Sequence, residues 1–253
     1  MPGRARTADQ PGILRDALAR MRAAAPRGVA VFDLDSTLLD NRPRQARILQ
    51  DYGRAAGLPA LLGARPEHWE GWDLAAAMGR AGLSPAEVRR HAPRFRRFWA
   101  GRFFTSAFCR FDVPLPGAPE FVRAAAAAGA RIAYVSGRPR EMEEGTLEVL
   151  GRHGFPLPER ERTAFLLNPG PDLDDTAWKA LARAEVERLG PVVAAFDNEP
   201  AHVNAYARAW PEALCVHLDT DDSGRPIEVL PQVPSIADFG PPLGAAGSHA
   251  AAP

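Results

Sequence analysis

Lysine is almost absent from this chain of 253 residues: Lys179 is the only one, and the other 30 basic residues are arginine. Cysteine is scarce as well, because Cys109 and Cys215 are the only two and they lie far apart without a C-x-x-C pattern. Neither a disulfide framework nor a cysteine zinc site is therefore expected, which favours a reducing, cytoplasmic location.

Long apolar runs and an excess of one charge are also missing. No apolar run approaches the roughly 20 residues that a membrane span needs, and the arginine-rich N-terminus has no apolar core of a signal peptide. Basic and acidic residues number 31 each, so the formal net charge is zero and a nucleic-acid partner is not expected. The basic stretch RRHAPRFRR at 89–97 predicts a solvated helix face.

Five short apolar runs predict the strands of a parallel sheet. Each is apolar almost throughout, as expected for strands that helices cover on both faces. They span 28–35, 130–137, 162–168, 191–198 and 213–219, and helical patterns occur at 118–129, 140–154, 175–190 and 200–210. This alternation predicts an α/β fold, a Rossmann-like sheet of about five strands flanked by helices.

One interval, residues 41–116, is too long to be a simple crossover and reads as helical. In it Phe95, Phe98, Trp99 and Phe103 recur at helical spacing, which predicts one apolar helix face. We interpret this interval as a helical cap inserted after the first strand, its aromatic residues forming mainly the cap core. The catalytic core is then 1–40 with 117–240, and the tail 241–253 is expected to be disordered.

The strongest signal for a functional site is the stretch VAVFDLDSTLLD, residues 29–40. An apolar strand leads into Asp33, and a second carboxylate, Asp35, follows two residues later. Two carboxylates at a strand end are costly unless a cation lies between them. Hard oxygen ligands favour Mg²⁺, and ligands of α/β sheets bind beyond the carboxyl ends of the strands.

The segment FDLDSTLLD resembles the first motif of the haloacid dehalogenase-like superfamily, most of whose members are phosphatases. That family pattern continues with a Ser or Thr after the second strand, a Lys near a later helix and an acid after the fourth strand. Ser136 in AYVSGRP, Lys179 in DTAWKALA and Asp197 in AAFDNEP follow in that order. The resemblance covers roughly residues 28 to 210.

The resemblance implies a reaction mechanism. Asp33 is expected to attack phosphorus and form an aspartyl-phosphate. Asp35 is expected to protonate the leaving alcohol and then to accept a proton from the hydrolytic water. The implied substrate is a small phosphorylated molecule.

The resemblance also implies the binding residues. Thr37 is expected to fix the loop and orient Asp35, and it is grouped with Ser136, Gly137 and Lys179 around the phosphoryl group. Mg²⁺ is expected on the Asp33 carboxylate, the Asp35 backbone carbonyl and the Asp197 carboxylate.

Two neighbours of Asp197 differ from the usual acidic pairs of the family. Asn198 brings no charge, so either Asn198 or Glu199 is left to complete the metal site. His202, a little further on, is expected on the helix surface rather than as a ligand. The second acidic stretch, HLDTDDSG at 217–224, is interpreted as an acidic turn, because Leu230 stands where a calcium loop needs a bidentate glutamate.

The single lysine supports the same assignment. A compact ammonium can contact both a phosphoryl group and a carboxylate, whereas a guanidinium is larger and forked. A position that keeps lysine in an arginine-rich chain is therefore expected to need a point charge.

The same residues bear on the other activities that this kind of site could have. A dehalogenase has no use for Asp35, and a phosphonate hydrolase would need a cap lysine, which this cap lacks. A phosphomutase, or a catalytically idle member that binds a phosphorylated ligand, stays open beside the phosphatase.

Overall fold

The computed structural model describes residues 9–159, 162–170 and 173–240, so the predicted disordered tail lies outside the described residues. The main sheet has six parallel strands in the order β5-β4-β1-β6-β7-β8. These strands are β1 Val29–Phe32, β4 Arg131–Pro139, β5 Thr163–Asn168, β6 Val192–Asp197, β7 Leu214–Leu218 and β8 Ser235–Ile236. The predicted parallel α/β fold is thus confirmed.

Helices cover both faces of this sheet. Those of the core are α1 Gln10–Ala23, α6 Ala118–Ala127, α7 Glu143–Arg152, α8 Asp175–Leu189 and α9 Pro200–Ala209. Alternate residues of β1 face opposite layers: Phe32 packs with α1 and α6, whereas Val31 packs with α8 and α9. This two-sided burial explains why the strand sequences are continuously apolar.

The structure adds two elements to the predicted set. Helix α1 places Leu14, Ala17 and Met21 in the core, although no element was predicted there. Strand β8 has only two residues, too few to form a recognisable apolar run. Two strands end at other residues than predicted. Strand β1, predicted to residue 35, ends at Phe32, directly before Asp33, and β4, predicted to residue 137, continues to Pro139.

The interval between β1 and β4 is helical, as predicted. Its helices are α2 Arg42–Ala56, α3 Leu74–Arg80, α4 Pro85–Phe103 and α5 Ser106–Cys109, with 3₁₀ turns at Pro59–Gly63 and Pro66–His68. The chain enters and leaves this region through a short antiparallel pair, β2 Leu39–Asp40 with β3 Val113–Pro114. We call residues 41–116 the cap.

The cap has its own hydrophobic core. Phe95, Trp99 and Phe103 on α4 are buried in it and Phe98 packs against it, which confirms the predicted apolar face. The α4 arginines of the basic stretch are exposed, as a solvated face requires. Helix α4 begins at a capping box, in which Ser84 N donates to Glu87 Oε2 at 2.8 Å. None of the helices in the described part of the chain is long and apolar enough to cross a membrane.

Candidate active site

The sheet brings three of the predicted site residues to one edge. Strand β1 lies between β4 and β6, and Phe32 is in register with Tyr134 and Phe196. Asp33, Ser136 and Asp197 are therefore neighbours at the carboxyl ends of adjacent strands. All three are buried, with 4% or less of each residue exposed.

Lys179 lies at the centre of this group. Its Nζ donates to Asp33 Oδ1 at 2.8 Å and to Asp197 Oδ2 at 2.9 Å, and the side chain is 4% exposed. Helix α8 sets this position, because it packs on β4 and β1. The helix begins after the N-cap residue Asp174, whose side chain accepts a hydrogen bond from Ala177 N at 2.8 Å. The only lysine of the chain thus joins the two acids that the sequence singles out.

Burial governs the charge of Asp33. Loss of solvent raises the pKa of its carboxyl, Lys179 lowers it, and the nearby acids Asp197 and Asp175 raise it again, to about 7. For Asp197, burial likewise raises the pKa, but Lys179 and His202 hold it well below its usual range. The Lys179 ammonium therefore only partly offsets the burial of Asp33 and the nearby acids, and the pKa of Asp33 stays raised.

His202 belongs to this cluster, so the prediction that it lies on the helix surface was wrong. It is 4% exposed, and its Nδ1 lies 3.2 Å from Lys179 Nζ and 3.5 Å from Asp197 Oδ1. On the other side of the ring, Nε2 lies 3.4 Å from Thr176 Oγ1. His202 lies on the inner face of α9, and its polar neighbours come from other elements that the helix pattern alone could not reveal.

Asp35 is held by two arginines that sequence reasoning missed. Arg138 Nε and Nη2 donate to its two oxygens at 2.8 Å each, and Arg44 Nη2 donates to Oδ1 at 2.8 Å. Asn41 adds a donor at 3.2 Å. Burial raises the pKa of Asp35, but the two guanidiniums outweigh it and hold this pKa well below its usual range.

The same arginines share Asp112, which is fully buried, whereas the Asp35 side chain is 20% exposed. Arg138 Nη2 donates to Asp112 Oδ2 at 2.6 Å, and Arg44 Nε lies 3.0 Å from Asp112 Oδ1, as an ion pair without hydrogen-bond alignment. Arg44 comes from α2 in the cap, and Arg138 from β4 in the core. We call Asp35, Arg44, Asp112 and Arg138 the arginine–aspartate network. Arg138 follows the Ser136-Gly137 pair directly, which was the one available sequence signal.

Ser136 and Gly137 line the same cavity as Asp35 and Lys179. The Ser136 hydroxyl accepts from Arg138 N at 3.3 Å, and its backbone carbonyl accepts from Trp178 Nε1 at 2.9 Å. Glycine is favoured at position 137 for a steric reason, since a Cβ there would lie 2.3 Å from an Asp175 carboxylate oxygen. Asp175 itself is a further residue of the site that the motif did not indicate.

Thr37 contacts Asn198 rather than Asp35. Its hydroxyl donates to Asn198 Oδ1 and accepts from Asn198 N, both at 3.1 Å. Asn198 Nδ2 donates to the Asp221 carbonyl at 2.6 Å, so the acidic turn after β7 supports this side chain. Thr37 is fully buried, and the structure uses it to fix the first loop to the end of β6.

Glu199 is held by the same turn. Its carboxylate accepts from Ser223 N at 2.7 Å and from Ser223 Oγ at 2.8 Å. Burial raises its pKa, and Asp197 raises it further, whereas Ser223 lowers it. Glu199 N donates to Asp197 Oδ1 at 2.9 Å, so both Asp197 oxygens have partners.

The donor atoms fit a hydrated Mg²⁺. No group of three His, Cys, Asp or Glu residues suited to a metal occurs in the described ranges. However, Asp33 Oδ2 has no hydrogen-bond partner among those ranges, and Asp33, Asp35 and Asn198 all line one cavity. Mg²⁺ commonly takes one or two carboxylates and keeps several waters, so this oxygen-rich set suffices.

The cavity lies between the sheet edge and the cap and has a volume of about 200 Å³. Core residues around it are Asp33, Asp35, Ser136, Gly137, Arg138, Met142, Asp175, Lys179, Asn198 and Glu199, and cap residues are Trp72, Phe103 and Phe104. Within the described chain, the backbone N–H groups of Leu34 and Asp35 have no acceptor. The site therefore combines a buried acid, an ammonium and free donors, a combination suited to a tetrahedral anion.

A family model described as haloacid dehalogenase-like hydrolase matches residues 30–165, more than half of the chain. The chain belongs to this family. A comparison with curated proteins found no match.

Solved structures of low identity resemble the chain. Protein tyrosine kinase A from Mycobacterium tuberculosis is 17% identical, with 85% of this chain and 94% of that chain covered and a TM-score of 0.51. A haloacid dehalogenase-like hydrolase from Bacteroides fragilis is 14% identical over 84% and 97% of the two chains, with a TM-score of 0.49. A predicted phosphoglycolate phosphatase from Haemophilus somnus is 18% identical over 84% and 94%, with a TM-score of 0.47. The first of these shows a shared fold.

Proposed function

We propose that this protein is a phosphatase that hydrolyses small phosphomonoesters through an aspartyl-phosphate on Asp33, with Mg²⁺ as cofactor. The observation that carries the proposal is the position of Lys179 Nζ, within 2.9 Å of both Asp33 and Asp197. An ammonium there lowers the pKa that burial raises in the nucleophilic carboxylate, and it can contact a phosphoryl oxygen beside it.

In the first step, Asp33 Oδ2 attacks phosphorus, the bond from phosphorus to the ester oxygen breaks, and the departing alkoxide takes a proton from a solvent water. This oxygen is suitable because it lines the cavity and Lys179 occupies the other one. Ser136 and the N–H groups of Leu34 and Asp35 are proposed to hold the phosphoryl oxygens. Charge on these oxygens is then met by donors that are already in place.

In the second step, water attacks phosphorus and the acyl-phosphate bond breaks, which releases phosphate and restores Asp33. Asp35 is proposed to accept the proton of this water, because the two arginines keep it ionised. Its contacts favour this role over the donation of a proton to the leaving alcohol. An Asp35 that protonates the leaving group would first have to lose contact with Arg44 and Arg138.

Mg²⁺ is proposed to bind Asp33, the Asp35 carbonyl and Asn198, and it would supply charge neutralisation for the phosphoryl oxygens. Asp197, although expected as a ligand, has both oxygens engaged, Oδ2 by Lys179 Nζ and Oδ1 by Glu199 N. Its proposed part is to hold Lys179. The basis for this division is that Asp33, Asp35 and Asn198 line the cavity, whereas Asp197 does not.

Release of inorganic phosphate tests the proposal. The wild type with Mg²⁺ should hydrolyse para-nitrophenyl phosphate, and Asp33→Asn should lose at least about 10³-fold in kcat/KM, because no nucleophile is left. Asp51→Asn, on the cap surface, serves as the matched control and should retain the wild-type rate. Equal rates for the wild type and Asp33→Asn would reject the proposal and favour an idle binding protein. Transfer of phosphate to a second alcohol without phosphate release would favour the phosphomutase.

A further inference from the structure

The cavity has two chemically different ends. Towards the sheet lie the charged groups Asp33 and Lys179, and towards the cap lie the aromatic side chains of Trp72, Phe103 and Phe104. A phosphate at Asp33 would place the rest of its substrate against the cap. The cap end therefore contacts the leaving group and limits which leaving groups fit. This inference rests on the proposed function.

The aromatic end is a continuous cluster. The Trp72 ring lies 5.3 Å from Phe103 and perpendicular to it, and Phe103 lies 5.1 Å from Phe104, also perpendicular. Behind them Trp99 stacks on Phe103 at 4.5 Å, and Arg44 lies 3.9 Å from the Phe103 ring centre. Phe103 is thereby fixed, whereas Phe104 keeps 43% of its surface exposed at the end of α4. A large, exposed aromatic side chain on a cavity wall is available to a ligand.

The cations of the cavity wall are already used within the protein. Arg138 donates to Asp35, Asp112 and Thr146 Oγ1, and its remaining N–H faces Cys109 Sγ at 3.8 Å. Lys179 already has Asp33, Asp197 and His202 within 3.2 Å, and the phosphoryl group at Asp33 would be the further anion beside it. No other Lys or Arg of the described residues lines the cavity. A second anionic group on the substrate would therefore find no free cation and would approach Asp35, Asp175 and Glu199.

We infer that the substrate is a phosphomonoester whose leaving group is a small, uncharged aromatic ring, bound against Trp72 and Phe104. The cavity of about 200 Å³ is smaller than the roughly 300–1,000 Å³ of common ligand pockets, which favours a single ring. Aromatic pairs gain from edge-to-face contact beyond their buried area, so Trp72 and Phe104 determine the preference. Phosphorylated acids carry a second charge, and sugar phosphates have no aromatic ring.

Binding of non-hydrolysable phosphonates tests this inference without any turnover. Calorimetric titration at fixed Mg²⁺ compares 2-phenylethylphosphonate, ethylphosphonate and phosphonoacetate. The phenyl compound should bind at least about tenfold more tightly than ethylphosphonate, since its ring buries apolar area and contacts aromatic edges. Phosphonoacetate should bind more weakly than ethylphosphonate because its carboxylate has no cation. Equal binding of the first two, or tighter binding of phosphonoacetate, would overturn the inference.

Matched variants assign the preference to the proposed residues. Phe104→Leu and Trp72→Leu should each remove most of the advantage of the phenyl compound, with little change for ethylphosphonate. Phe98→Leu is the control, because Phe98 lies on the same helix, packs on Tyr52 and does not line the cavity. If Phe98→Leu reduces the preference as much as Phe104→Leu does, the proposed contact is wrong.

Hydrolysis separates this inference from the proposed function. The wild type should hydrolyse 2-phenylethyl phosphate with at least about tenfold higher kcat/KM than ethyl phosphate, two esters of unactivated alcohols. Hydrolysis of both at equal rates would support the phosphatase and overturn the aromatic preference. Preferential binding of the phenyl phosphonate without hydrolysis of any phosphate would support the aromatic site and reject the phosphatase.

Discussion

Arg138 and Asp35 form a two-point pair in which Nε and Nη2 each donate to one carboxylate oxygen at 2.8 Å. The Arg138 side chain is 1% exposed, and its Nη2 also donates to Asp112, just before the chain returns from the cap to the core. The position of the second motif aspartate thus depends on the segment that joins the two regions.

Arg138→Met should lower the free energy of unfolding by about 3–5 kcal/mol, because Asp35 and Asp112 lose a buried partner. Urea denaturation measures the change. Arg123→Met provides the control: its pair with Glu120 is about half exposed, and pairs of that kind are worth about 0–1 kcal/mol. A similar loss in both variants would contradict a special role for the buried network.

Asp35→Asn should destabilise the protein near neutral pH, and this destabilisation should disappear in acid. Because the folded pKa of Asp35 lies below its unfolded value of about 3.9, its stabilising contribution is present above that pH and is lost as the pH falls towards the folded pKa. The wild type should therefore be more stable than Asp35→Asn at pH 6, and the difference should shrink below about pH 4. Urea midpoints at several pH values measure this, and a difference that stays constant to pH 3 would contradict the pairing.

Lys179→Arg should reduce kcat by at least about 10²-fold although the charge is kept, because a planar fork cannot replace a point charge between Asp33 and Asp197. Steady-state hydrolysis of para-nitrophenyl phosphate measures the loss. Arg188→Lys on the same helix makes the reverse exchange on an exposed pair and should have no effect. If Lys179→Arg keeps the wild-type kcat, the site does not need a compact ammonium between Asp33 and Asp197, and the single lysine is left unexplained.

His202 should act as a positioning residue for Lys179. His202→Ala should lower kcat by about tenfold with little change in KM, since the ammonium loses one of its three neighbours. His202→Asn should recover most of the rate, because its amide oxygen can accept at the position of Nδ1. Equal losses in the two variants would indicate that His202 contributes only by its packing.

Much of the fold followed from the sequence because its signals are local. Continuous apolar strands and the helical patterns between them specify a covered parallel sheet, and the aromatic spacing around Phe95 specifies the cap core. Helix α1 was not predicted, and strand β8 was too short to leave a pattern. The carboxylates, serine and lysine of the motif were found because their order along the chain is itself the signal.

The partners of the motif residues could not be predicted in this way. Asp112 and Arg138 lie far from Asp35 in sequence, and nothing in the sequence distinguishes the buried Arg44 from the other 29 arginines. His202 looked like a surface residue because its helix pattern does not reveal Lys179 on the facing element. Each of these contacts depends on tertiary packing rather than on local spacing.

Trapping with beryllofluoride and Mg²⁺ followed by crystallography tests most directly whether Asp33 accepts the phosphoryl group. We expect a beryllofluoride adduct on Asp33 Oδ2, with Lys179 Nζ against both Oδ1 and a fluoride. A cavity without the adduct at saturating beryllofluoride, or an adduct on another carboxylate, would contradict it.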